Sequence, residues 1–168
     1  MLVERGIPYF SLDVLMMGLA AGLPTFGLDP DTSGIVRGEK FWPILRAMAV
    51  NLLEEERVHP EYLVEGDELL PKYVAELRAA YPERVRACFL GYREAVPEEK
   101  LRAVRSVEPD WMAYCPEAEM LSFVAGEVEQ SAYLERECAR HGLRYFDCSR
   151  DLPSALNDAA RYLLGSEP

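Results

Sequence analysis

The chain has two histidines and four widely separated cysteines, Cys88, Cys115, Cys138 and Cys148, with no C-x-x-C pair. That supply is too thin for a zinc site built on His and Cys ligands. No Gly-x-Ser-x-Gly turn accompanies the histidines, so a hydrolase triad has no support. Positive charge is short as well: 18 Lys and Arg face 29 Asp and Glu, a formal net charge of −11. This balance favours solubility and argues against a broad nucleic-acid or anionic-membrane surface. It does not argue against a small anionic substrate held by a few arginines. A membrane span needs roughly 20 apolar residues, and the apolar stretch Leu12–Leu28 is interrupted by Asp13 and Pro24. A signal peptide fits poorly too, because Glu4 offsets Arg5 and Pro8 precedes the apolar run. Cys88 and Cys148 lie in apolar, strand-like runs and read as buried reduced thiols, which points to the cytoplasm.

What the chain does have is alternation. The length suits one domain with a single core, and there is no internal repeat, low-complexity tract or linker. Ile7–Leu12 reads as a first strand, followed by a segment broken by Gly18, Gly22, Pro24, Gly27, Pro30 and Gly34. Pro43 reads as the first turn of a helix whose apolar face is Ile44, Leu45, Met48, Leu52 and Leu53. Pro60 closes that region and Tyr62–Val64 is a second strand. A helix from Glu68 to about Tyr81, a third strand Val85–Leu90 and a helix from Pro97 to about Val107 follow. Pro116 opens the longest helix, which closes at His141–Gly142 as a glycine cap would close it. Leu143–Cys148 is the fourth strand and Leu152–Leu164 the last helix. Such alternation predicts an α/β fold with a parallel sheet covered by helices on both faces.

In parallel sheets ligands bind beyond the carboxyl ends of the strands. The residues there are Asp13, then Glu65 with Asp67, then Gly91, Tyr92 and Arg93, then Ser149 with Arg150. A carboxylate at a strand tip can hold Mg²⁺ through water or take a proton from a hydroxyl. Tyr62-Leu-Val-Glu-Gly-Asp67 is the sharpest signal, with one carboxylate at the tip and another past a flexible turn. Glu65 and Asp67 equally suit the N-terminus of the helix that follows, and Asp13 equally suits a helix over Val14–Leu19. After Pro97, Lys100 and Arg105 flank the face set by Leu101, Val104 and Val107, while Arg102 points away from it. Lys100 and Arg105 can fold onto a ligand or simply face water. Arg37 and Arg46 are candidates for an anionic substrate, and surface arginines are common. Leu15, Met16, Met17 and Leu19 read as core. His141 suits a helix C-terminus without any catalytic role.

Four stretches, IPYFSLDVLMMGL, YLVEGDELLP, RACFLGY with PEEKLRAVR, and LRYFDCSRDLPSAL, resemble in order and spacing the P-loop small-molecule kinases, the shikimate, gluconate and uridine kinase group. They are similar above all to bacterial proteins described as AAA-family ATPases or 2-phosphoglycerate-kinase-like. The resemblance implies a three-layer sheet, ATP and Mg²⁺ as cofactors, and a small-molecule phosphate acceptor. By it, Asp13 would lie near the acceptor hydroxyl, Glu65 on the metal side with Asp67 behind it, and Lys100 and Arg105 in a lid within residues 92–115. Ser149 and Arg150 would lie near the adenine, and residues 14–57 would form a substrate-side insertion with Arg37 and Arg46.

The same resemblance exposes a departure. Family members begin with a strand, then G-x-x-x-x-G-K-[ST], then a helix, whose backbone amides, lysine and hydroxyl hold phosphate and Mg²⁺. This sequence contains no such motif, and MLVERG resembles only the last turn of that helix. The missing strand would stand between the second and third strands here, leaving a gap of about 9.6 Å. Three readings follow: a late start that omits the loop of an active kinase, a complete chain that lost ATP chemistry and serves as a binding or regulatory module, or a remnant. Clean apolar patterning elsewhere favours the first. The sheet is then expected to break after its second strand, to close up, or to take a strand from another chain, as in a homodimer.

Overall fold

The computed structural model describes residues 6–55, 61–106 and 115–165. The Met1–Arg5 segment, Pro60 and residues 107–114 of the lid-like region lie outside the described residues. The chain divides into two compact units, Met1–Arg86 and Ala87–Pro168. Among the described residues each holds one parallel two-stranded ladder.

In the first unit β1 (Tyr9–Ser11) runs directly into α1 (Leu12–Gly22). A short 3-10 turn (Pro24–Phe26) leads to α2 (Gly34–Glu54), then β2 (Leu63–Glu65) and α3 (Pro71–Ala80). β1 pairs with β2 in the register Tyr9–Leu63, Phe10–Val64 and Ser11–Glu65. Parallel pairing places the carboxyl ends of both strands side by side, so the segments holding Asp13 and Glu65 start from the same end.

α2 corrects the sequence reading. It does not begin at Pro43: Ser33 caps it, its hydroxyl accepting from the Val36 N–H at 3.4 Å, and Pro43 lies inside it. The buried residues Gly34, Gly38, Phe41, Trp42 and Leu45 recur at helical spacing and form the inner face. Pro43 and Glu39 both lie on the exposed side, so the Glu39 carbonyl that proline leaves without an N–H partner faces water. Phe41, Trp42 and Leu45 pack with Leu12, Met16 and Leu28, flanked by Val64, Leu69, Tyr73 and Leu77. Burial of such side chains contributes about 1.5–3 kcal/mol each, which offsets the proline penalty of about 3 kcal/mol. Trp42 also stacks on Tyr73 with centroids 4.7 Å apart, docking α3 on α2. Met17, expected in the core, is 54% exposed, because α1 buries only the face of Leu12 and Met16.

In the second unit β3 (Cys88–Gly91) is followed by α4 (Pro97–Ser106), α5 (Glu117–His141), β4 (Arg144–Asp147) and α6 (Leu152–Leu163). β3 pairs with β4 from Cys88–Arg144 to Gly91–Asp147. α5 ends as its sequence predicts: Gly142 takes φ 63°, and the Leu143 N–H returns to the Cys138 carbonyl at 2.8 Å. Leu143 and Cys138 are both buried, which completes the cap with an apolar contact. Gly91 is required by packing, since a Cβ there would collide with the Tyr145 hydroxyl and stand 2.9 Å from Ser131 Oγ.

Burial on both faces, as expected of central parallel strands, is not what the ladders have. Tyr9 and Phe10 on β1 and Leu90 on β3 are exposed. Two strands offer too little surface for helices to enclose both faces, and the helices instead form apolar clusters among themselves. The four cysteines are not disulfide-bonded. Burial pushes the Cys88 thiol up to about 11 and the Cys138 thiol up to about 12, so both are protonated at neutral pH. Among the described residues no helix is long and apolar enough to cross a membrane.

Close packing of α2 on the β2–α3 turn gives a direct test. A Cβ at Gly38 would stand 2.6 Å from the Glu68 carbonyl oxygen and 2.8 Å from Leu70 Cγ. Gly38→Ala should destabilise the protein by about 1–3 kcal/mol despite alanine's better helix propensity. Urea unfolding checks it, and a stabilised variant would contradict the packing.

Candidate functional site

The tip of the β1–β2 ladder gathers most of the first unit's candidates. Asp13 sits in the first turn of α1, exposed, with Ser11 rather than Asp13 as the residue before the helix. Glu65 ends β2 and accepts a hydrogen bond from the Tyr9 hydroxyl at 3.0 Å across the ladder. The turn Glu65–Leu70 then leads to α3, which begins only at Pro71. Glu65 and Asp67 therefore lie outside that helix's first turn. Gly66 allows the turn to hug α1: a Cβ there would stand 2.5 Å from Leu12 Cβ. Burial raises the Asp67 carboxyl, Asp13 adds to the rise, Arg37 opposes it and Glu65 adds again. Asp13, Glu65 and Asp67 thus form one electrostatic neighbourhood.

Arg37 reaches the same turn in a role the sequence did not suggest. Its Nε donates to Glu68 Oε1 at 3.0 Å, with the Arg37 side chain 13% exposed and Glu68 fully buried. Its Nη1 donates to the Pro30 carbonyl at 3.1 Å and also to the Thr32 carbonyl. One guanidinium therefore ties the loop before α2, α2 itself and the acid-bearing turn. Lys40 reinforces the loop by donating to the Gly27 carbonyl. In the sequence Glu68 stands only as the expected start of a helix. Its Oε2 is buried and, among the described residues, has no hydrogen-bond partner. The signal that could have found it is an acid at a position flanked by Leu69 and Leu70, where apolar neighbours imply burial. Arg46 is exposed, nine residues further along α2, about 13.5 Å of helix away. Its charge acts on the Tyr81 hydroxyl instead.

In the second unit the β3–β4 tip is knotted by Asp147. Its Oδ1 accepts from the Ser149 N–H at 2.8 Å and its Oδ2 from the Glu94 N–H at 3.4 Å. Burial pushes this carboxyl up, but the Ser149 hydroxyl and the backbone N–H groups of Ser149, Glu94 and Arg93 outweigh it, and the net direction is down. Ser149 Oγ also accepts from the Glu94 N–H at 3.0 Å. Arg150 pairs with Glu94 at 2.8 Å, and Arg93 with Glu135 at 2.9 Å. Ser131, buried on α5, accepts from the Tyr92 N–H at 2.9 Å. Lys100 places Nζ 3.4 Å from the centre of the Tyr92 ring, and burial lowers its pKa although the nearby Cys148 opposes this. Arg105 turns elsewhere, pairing with Glu117 of α5 at 3.3 Å along a groove of about 230 Å³ between α4 and α5. Lys100 and Arg105 thus engage different partners.

Among the described residues no three His, Cys, Asp or Glu side chains gather closely enough to hold a metal ion. The sequence holds no G-x-x-x-x-G-K-[ST] segment, and the acids at the β1–β2 tip, Asp13, Glu65 and Asp67, could meet Mg²⁺ through one or two carboxylates and water. No protein-family model, no curated protein and no solved structure matches this chain.

Two outcomes follow from these contacts. Arg37→Met leaves Glu68 buried and unpaired, and should cost about 3–5 kcal/mol in denaturant unfolding; a loss below about 1 kcal/mol, the scale of an exposed pair, would contradict the burial. For Asp147 the folded carboxyl titrates below its unfolded counterpart. Its contribution is present above the unfolded carboxylate pKa of about 3.9 and is lost as pH falls through the lower folded value. Asp147→Asn should therefore flatten the acid limb of stability against pH and leave the shape above about pH 6 unchanged.

Proposed function

We propose that the chain is the acceptor-side portion of an ATP-dependent phosphotransferase of the P-loop small-molecule kinase type. The observation that supports this is the convergence of Asp13, Glu65 and Asp67 at the carboxyl end of a parallel strand pair, with the Asp67 carboxyl raised. A raised carboxylate is a better proton acceptor near neutral pH. In this reading Asp13 orients the acceptor hydroxyl and Asp67 helps to take its proton, while Glu65 is held by Tyr9. Lys100, the cation resting on an aromatic face, would neutralise phosphoryl charge, with Arg105, Ser149 and Arg150 as further nucleotide-side groups. The reading carries a three-layer sheet with helices on both faces, and a phosphate-binding strand and loop that residues 1–168 do not contain. ATP and Mg²⁺ would supply the phosphoryl group and its charge neutralisation.

A second reading, a binding or regulatory module without catalysis, is favoured by one observation. Arg37, Arg93, Arg105 and Arg150 are each engaged by a glutamate of their own unit. Titration with Mg-ATP separates the two. The phosphotransferase reading expects nucleotide affinity only in a chain carrying strand, G-x-x-x-x-G-K-[ST] and helix ahead of Gly6. Turnover there should fall about 10²–10⁴-fold in Asp13→Asn. Micromolar affinity in residues 1–168 alone, or unchanged turnover in that variant, sinks it.

A further inference from the structure

We draw no further inference here: the strongest candidate, the apolar outer face of α1 on which Val14 is 74% and Met17 54% exposed, is an unpartnered surface, and nothing in the structure shows what covers it.

Discussion

Parallel pairing is the constraint on which the rest depends. Two parallel neighbours cannot be joined by a tight turn, so the chain between them must leave the sheet and return. Between β1 and β2 that return is α1 and α2, and between β3 and β4 it is α4 and α5. Most of each unit is therefore crossover. The same constraint places the carboxyl ends of each pair together, which sets Asp13 beside the Glu65–Asp67 turn and Tyr92–Glu94 beside Asp147–Ser149. The two tips are chemically unlike. The first holds an excess of carboxylate with a half-satisfied buried glutamate. The second is closed by its own hydrogen bonds, with Asp147 accepting the N–H groups of Ser149 and Glu94.

The Arg37–Glu68 pair shows how packing and charge are coupled in the first unit. Gly38 brings α2 against the backbone of the β2–α3 turn, and Gly66 brings that turn against α1. Only with both approaches can Arg37 bridge a loop, a helix and the acid turn. Buried ion pairs are weak evidence for net stability, because desolvation offsets attraction, but removing one partner is severe. The pair therefore fixes geometry more than it adds stability.

How far the sequence could be read is clearest at particular elements. α4, α5 and α6 lie within a residue or two of their expected spans, because proline starts, a glycine stop and a 3.6-residue apolar period are local signals. α2 starts earlier than its sequence suggests because Pro43, a strong local start signal, is overruled by Phe41, Trp42 and Leu45, whose burial depends on the distant Leu12 and Met16. The acids at strand ends were legible because strand runs and the residues after them are contiguous. The fate of the arginines was not, since their partners lie far along the chain: Glu68 is 31 positions from Arg37, and Glu135 is 42 from Arg93.

By itself, then, the amino-acid order determined the alternation of strands and helices, the parallel pairing and the positions of Asp13, Glu65, Asp67 and Ser149 at strand ends. These follow from short-range period and turn chemistry. Tertiary structure alone decided which charges remain available, which carboxylate is buried, and that the strands form two ladders with exposed faces. Those depend on which surfaces meet, and a charge or a hydrogen-bonding group has its strength set by what surrounds it rather than by its neighbours in the chain.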